Sequence, residues 1–461
     1  QENKQENKKR SMGKTHDNHY LKAATRLGDF QLVIAHRAIY SSVGVKLIDR
    51  GVRVDSQLYH RLLNHKLQVP LDESLTAENT VTAAELRDQA ERLIAERSFY
   101  GRLVADPSDR AALLGAIGGM TLPQAIAFRL TVARDCHNAV FCHSLQVALI
   151  ALYLGLRQGL TAAPLRALAA AALLHDLGVL HIDPGILEED HRFTAVDRRQ
   201  LLAHPLTAAM IVEQRPEYPP EVARAILEHH ERHDGSGYPR GLKGGEISVG
   251  GRILLLAELV AALLDKKLSE PGKRLSLILR LNHGKFDRTM SRQVVRLLQK
   301  EAAGETDREQ EQRNAERLER LGEECDKWRL ARSELASYSS AAPAVGSFLA
   351  DRVAALERSL ADAGLHPDQL PSTLVDLADQ PAAVNELAML MRETGWQLNT
   401  IIHDVFARFP RLETTEKPGE RAIRDWLLQL QEHLNTSGGK LSPDARPAEA
   451  GPAAASAATK A

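Results

Sequence analysis

The feature that most restricts this chain lies in residues 175–239. His175-Asp176 closes an apolar helical run, Ala167–Leu174. His204-Pro205 follows, and then His229-His230-Glu231-Arg232-His233-Asp234-Gly235-Ser236-Gly237-Tyr238-Pro239. Imidazoles and carboxylates suit Fe, Mn or Zn, and a carboxylate can bridge two ions. His175 and Asp176 are adjacent, so they splay around one helical turn; one can ligate a single ion while its neighbour spans both. His143 sits mid-helix on an apolar face, where a polar group needs a partner. His204, His229 and His230 complete a second ion. Glu258 stands in Leu254-Leu255-Leu256-Ala257-Glu258-Leu259-Val260, where a buried carboxylate is costly unless paired or metal-bound. The blander readings are a Glu258–Arg252 pair and chance His-Asp and His-His neighbours. The ligand set taken with its spacing and the Gly-Tyr-Pro loop outweighs them. His16, His36 and His283 read as surface or cap residues, and His181, His191 and His233 as loop-orienting or without a ligand. The pattern predicts a metal pocket with a substrate-shaping lip, suited to hydrolysis of phosphate esters.

The rest of the chain bounds that reading. Its 461 residues allow two to four domains, and 44% hydrophobic residues supply a large core. Lys+Arg (59) and Asp+Glu (60) nearly cancel, which argues against binding to polymeric nucleic acid or an acidic membrane. Aromatics are 4%, while Ala, Leu, Arg and Glu abound, which favours helices. The three cysteines, Cys136, Cys142 and Cys325, form no Cys-x-x-Cys motif and predict a reducing compartment. The first twenty residues hold no apolar signal-like core, and the longest apolar runs, Ala167–Leu174 and Ile253–Leu264, fall short of a bilayer. The expectation is a soluble cytoplasmic protein with no membrane span.

Along the chain, residues 1–20 read as disordered and 21–120 as an accessory domain, sensing, dimerising or merely structural. Within it, residues 43–48 and 52–54 flank Asp49-Arg50-Gly51 as a small hairpin. Residues 56–65 and 82–96 carry helical spacing. Residues 121–301 hold the motifs on helices near 125–158, 164–177, 195–213, 220–232 and 248–267, with a last pair near 272–282 and 290–301. Residues 302–435 form a helical C-terminal region. There Leu318, Leu321, Cys325 and Trp328, then Leu349, Val353, Leu356 and Leu360, fit either short coiled coils or ordinary amphipathic helices packed on a neighbour. Helices 302–360 are the candidate surface for a protein partner or self-association. Trp396, Ile401, Phe406 and Trp426 are candidate core, and residues 436–461 read as a disordered tail.

The stretch from His143 to Phe286 resembles the HD-GYP family of HD-superfamily metal-dependent phosphohydrolases. The matching residues are His143-Ser144, Leu173-Leu174-His175-Asp176-Leu177-Gly178, Ile186-Leu187, His204-Pro205 and His229–Pro239 continuing to Gly244. Ile247, Arg252-Ile253-Leu254 and Gly284-Lys285-Phe286-Asp287 complete them. The resemblance implies a mostly α fold: an all-helical HD bundle, here with a small N-terminal α/β accessory domain and a helical, partly coiled-coil-like C-terminal region. It implies two divalent metal ions, usually iron with Mn or Zn as alternatives, on His143, His175, Asp176, His204, His229, His230 and Glu258. It implies catalysis at His175 and Asp176. A cyclic dinucleotide would be the ligand, cyclic di-GMP cleaved to pGpG or GMP, held by Asp234, Gly235, Gly237, Tyr238, Pro239 and Lys267. The metals would lower the pKa of a bridging water and stabilise charge on the phosphoryl oxygens.

Four positions depart from the family pattern. Ala139 replaces a metal-binding Glu one turn before His143, which removes a ligand for a third metal. Val179 replaces a lysine directed at the substrate phosphate. In Ala257-Glu258-Leu259-Val260-Ala261-Ala262, Glu258 still ligates but Ala261 cannot act as the second acid. Lys267-Leu268-Ser269 replaces Arg-Pro-Tyr, keeping a charge without the bidentate fork. Two functions therefore compete: a slow metal-dependent phosphodiesterase, and a catalytically silent module acting as a nucleotide sensor or scaffold. A hydrolase of another phosphoester is a third reading, disfavoured by the Gly-Tyr-Pro loop.

Overall fold

A computed structural model of the chain describes residues 18–96, 98–188, 191, 194–265, 275, 278, 279, 284–298, 342–362 and 381–437. Asn18 starts the first helix, α1 (His19–Phe30), by accepting from the Leu21 amide at 3.0 Å. Four short strands follow: β1 (Val33–Ala35), β2 (Ile39–Tyr40), β3 (Lys46–Ile48) and, after the short helix α2 (Tyr59–Leu63), β4 (Leu75–Ala77). The hairpin expected between 43–48 and 52–54 does not form. β3 pairs antiparallel with β2, and β1 pairs antiparallel with β4. Residues 52–54 lie instead against β1, with Ala35 N–H donating to the Val52 carbonyl and Val54 N–H to that of Val33. The turn at Gly51 (φ +85°) was legible, but the choice of partner strand is a tertiary decision.

Helices then dominate: α3 (Ala83–Glu96), α4 (Ser98–Leu103), α5 (Pro107–Gly118), α6 (Gln124–Cys136), α7 (Asn138–Arg157) and α8 (Ala162–Leu174). After two 3-10 turns, Leu177–His181 and Pro184–Leu187, come α9 (Ala195–Leu202), α10 (His204–Glu213), α11 (Pro220–Glu228), α12 (Val249–Asp265) and α13 (Arg288–Leu298). The span expected as one helix over 125–158 breaks at His137, which is non-helical at φ −138° and ψ 52°. The 195–213 span breaks at Ala203, and Pro205, lacking an amide hydrogen, sits in the first turn of α10. Asp106 caps α5 ahead of Pro107, and Thr194 with Asp197 forms a capping box on α9.

One apolar core runs from Tyr20 to Val294, so the N-terminal segment and the motif-bearing helices are packed together. Asn138–Arg157 and Ala162–His181 are long and apolar enough to cross a bilayer, against the sequence-based expectation. Each window is 78% buried inside this core, which accounts for its apolarity. A second, separate core joins α14 (Pro343–Asp362), α15 (Pro381–Arg408) and α16 (Pro418–Ser437). Leu349, Val353, Leu356 and Leu360 pack there with Ile402 and Val405, so for these residues the packed-helix alternative holds. Ile401, Phe406 and Trp426 are buried as expected, whereas Trp396 is only half-buried. Leu318, Leu321, Cys325, Trp328 and the rest of 302–341 lie outside the described residues.

Candidate metal centre

Helix ends deliver the ligands. α8 runs out at Leu174, which places His175 at its C-cap, and α11 runs out at Glu228, which places His229 at its own. The carbonyl end of a helix carries partial negative charge and favours a cation. His204 opens α10, His143 projects from α7 and Glu258 from α12. His143, His175, Asp176, His204, His229, His230 and Glu258 are all buried, none more than 6% exposed.

Their ligand atoms fall into two lobes joined by Asp176. In the first, Glu258 Oε2 lies 2.7 Å from His143 Nε2 and 3.3 Å from His175 Nε2. In the second, His204 Nε2 lies 3.2 Å from the Nε2 atoms of both His229 and His230. Asp176 spans them, with Oδ2 3.3 Å from His175 Nε2 and Oδ1 3.4 Å from His204 Nε2. Among the described residues three triads hold their ligand atoms within 4.8 Å of one another: His204/His229/His230, His143/His175/Glu258 and His175/Asp176/His229. The Glu258–Arg252 alternative fails, because Arg252 pairs with Asp287 at 3.0 Å.

Tautomers are fixed from behind. The Nδ1 atoms of His175, His204 and His229 contact the carbonyls of Ala172, Leu201 and Ile226, each three residues upstream. A ring N–H donated to a carbonyl leaves the Nε2 lone pair facing inward, the usual support for a metal-binding imidazole. Burial pushes His229 down to about 3, with His175 and His204 adding to the effect. His230 and His204 are lowered by burial too, so these three stay neutral, the form that ligates. Burial opposes a charge on His175, but the Asp176 and Glu258 carboxylates outweigh it and push that imidazole up to about 10. Against burial, His175 and His204 hold Asp176 below the usual carboxylate range, and His143 does the same for Glu258. His175 Nε2 and Asp176 Oδ2 are buried with no hydrogen-bond partner. His204, His229 and His230 turn neutral lone pairs inward, and a cation would take the place of the proton that the Asp176 and Glu258 carboxylates hold on His175, so the donor set suits the implied metal.

The lip follows directly. Gly235 adopts φ +78°, which favours glycine. A Cβ on Gly237 would stand 2.4 Å from both the Arg232 nitrogen and the His230 oxygen, so the backbone itself admits no side chain there. Tyr238 stacks on His230 at 4.8 Å, and its amide donates to the His230 carbonyl at 3.1 Å. Gly237→Ala is therefore expected to displace Tyr238 and raise KM at least tenfold while metal content holds. Wild-type KM in this variant would show that the loop does not shape the pocket.

Two residues without an assigned role in the sequence support this loop. Glu231, fully buried, accepts from the Arg240 amide at 2.7 Å and the Leu242 amide at 2.9 Å. Glu228 accepts from Arg224 and Arg240 and from the Ser248 amide. A charged residue beside the His-His pair and another on the buried face of α11 were the available signals. Asp234 faces Ser236 and Arg352. Pro239 lies at the loop's exposed edge. Lys267 lies outside the described residues.

Residues 106–290 match the HD domain family. Over 96 residues the chain is 38% identical to the 3'3'-cGAMP-specific phosphodiesterase 3 of Vibrio cholerae, covering 21% of each chain. Over 131 residues it is 33% identical to 3'3'-cGAMP-specific phosphodiesterase 1 of the same organism, covering 28% of this chain and 29% of that one. Over 110 residues it is 34% identical to the cyclic di-GMP phosphodiesterase response regulator RpfG of Xanthomonas campestris, covering 24% and 29%. The similarity thus spans less than a third of each of these relatives. The chain carries an HD-type domain related to the HD-GYP phosphodiesterases.

Proposed function

We propose that this chain is a metal-dependent phosphodiesterase of cyclic dinucleotides, cleaving cyclic di-GMP to pGpG or GMP at a binuclear centre. The observation that carries the reading is the pair of ligand lobes bridged by Asp176 beside the Gly-Tyr-Pro lip. His143, His175 and Glu258 would hold one ion and His204, His229 and His230 the other, with Asp176 between them. Divalent ions there, iron first and manganese or zinc as alternatives, would activate water near neutral pH and offset charge on the phosphoryl oxygens. The protein's own part is placement. The Nδ1–carbonyl contacts hold three imidazoles against rotation, burial excludes bulk water, and Asp176 keeps the lobes in register. Asp234, Gly235, Gly237, Tyr238 and Pro239 shape the nucleotide pocket, with Lys267 as a further cation. The N-terminal segment 21–120 and the helices after residue 301 are read as accessory units around this domain.

The test is turnover by anaerobically iron- or manganese-loaded protein, with cyclic di-GMP and 3'3'-cGAMP compared side by side. The second substrate is included because two of the relatives are named for it. Linear product is the expected result. Binding without turnover would establish the second reading, a silent nucleotide-sensing module. Val179 favours that reading: it is 2% exposed in the turn after Asp176, where the resemblance calls for a phosphate-directed lysine. Deleting one preorganised donor typically costs about 10²–10³ in rate, so Val179→Lys is expected to raise turnover by up to about 10². An unchanged rate would place the limitation at the metal centre or in 267–269.

A further inference from the structure

Arg232 and Asp234 stand between the His229-His230 ligands and the Gly-Tyr-Pro turn, and each meets an opposite charge from the C-terminal helices. Arg232 Nη1 lies 4.0 Å from Asp404 Oδ2 on α15, and Asp234 Oδ2 lies 3.5 Å from Arg352 Nη1 on α14. A third pair, Arg198 of α9 with Glu413, sits beside the Arg198 guanidinium and Phe406 ring, 5.9 Å apart. The two bodies have separate apolar cores. The first two pairs bridge them at the lip, and the Arg198 pair with its cation–π contact bridges them at α9. A shared apolar core would make the contact permanent, whereas partly exposed ion pairs are individually weak and screened by salt.

The signs matter. A cyclic dinucleotide is anionic, and Arg232 is the cation immediately after the His229-His230-Glu231 run. From the C-terminal helices, Asp404 turns a carboxylate toward that guanidinium. Within the local loop, Arg232 also meets the Ser236 hydroxyl at 3.3 Å, and Asp234 accepts from the Ser236 amide at 2.8 Å.

We propose that the C-terminal helices are a charge latch across the lip, in which Asp404 holds Arg232 and Arg352 holds Asp234, so that this unit regulates entry of the anionic substrate. The inference rests on the phosphodiesterase reading for its substrate, but the latch itself is testable without turnover.

The experiment compares full-length wild type with the double variant Asp404→Asn/Arg352→Ala at 50 and 500 mM NaCl. Amide hydrogen exchange is followed across 232–240, with 143–156 as a folding control. At low salt the variant should exchange about three- to tenfold faster in 232–240, and high salt should bring wild type to the variant's rate. KM for cyclic di-GMP should fall by a similar factor at low salt while kcat stays the same. Arg352→Lys, which keeps the charge, should retain slow exchange. Equal exchange in wild type and variant at both salts, with 143–156 protected, overturns the latch. Faster exchange in the variant with no turnover by either protein supports the latch and counts against the phosphodiesterase instead. Should the double variant lose protection in 143–156, the wild-type salt response decides alone: no acceleration at 500 mM overturns the proposal.

Discussion

Asp176→Ala is expected to strip the centre of metal and to cut turnover by about 10³ or more. The carboxylate is 2% exposed and reaches both lobes, 3.3 Å to His175 and 3.4 Å to His204. On the proposed binuclear reading, removing it takes one candidate ligand from each lobe at once. Several kcal/mol of charge stabilisation depend on a bound metal, and each 1.36 kcal/mol is a decade in rate, which sets the scale. Asp176→Asn separates charge from volume. It keeps the shape but offers one neutral oxygen and a donor where an acceptor is needed, so metal content should fall nearly as far. His143→Ala removes a ligand from the first lobe alone and should leave the second lobe's affinity largely intact. Elemental analysis of each purified variant reads the ligand set directly. Wild-type metal content in Asp176→Ala would refute the bridging assignment whatever the turnover.

That this cluster of side chains was legible in the sequence follows from how its members are encoded. His175-Asp176 and His229-His230 are adjacent pairs at helix ends, the first after an apolar run and the second after an amphipathic one, and adjacency survives any fold. Glu258 was legible for another reason: a carboxylate in an otherwise apolar helix must meet a compensating group, and it meets His143 and His175. What sequence could not supply was pairing between distant, individually ordinary residues. Strand partners went wrong because β1 and β4 are separated by about forty residues with no local turn to link them. The break at His137 has neither proline nor glycine to announce it. His181 read as loop-orienting or without a ligand, but its partners were not legible: it stacks on Tyr20 at 4.9 Å and meets Arg129 Nη1 at 3.1 Å. Nothing local in the sequence singles out Arg129, which is buried in α6. Its partner, Asp72, lies 57 residues away in the N-terminal segment.

Asp72→Ala is accordingly the substitution expected to destabilise the fold most, by about 3–5 kcal/mol, because it leaves a buried guanidinium uncompensated. Asp72 is fully buried and accepts from Arg129 Nε at 3.0 Å and Nη2 at 2.9 Å, while Arg215 approaches at 3.7 Å. Arg129 also lies over the Tyr20 ring at 4.3 Å. For a body of this size each kcal/mol moves Tm by about 2–4 °C, so a fall of roughly 6–20 °C is expected. Replacing both partners, Asp72→Leu with Arg129→Met, should cost much less, since a buried ion pair often exchanges for apolar side chains at little net cost. The same network predicts acid sensitivity. Burial, and then Arg129, push His181 down to about 3, against an ordinary value near 6.5 when unfolded. Between those limits the unfolded chain binds the extra proton. The contribution is therefore complete above about pH 6.5 and lost as pH falls toward 3. Because His181 ends the turn that begins directly after Asp176, this loss reaches the metal centre as well as the N-terminal segment. Thermal melts of Asp72→Ala, the double variant and wild type from pH 7.5 to 4 measure all of this. A Tm for Asp72→Ala within 2 °C of wild type would mean the pair carries no structural weight.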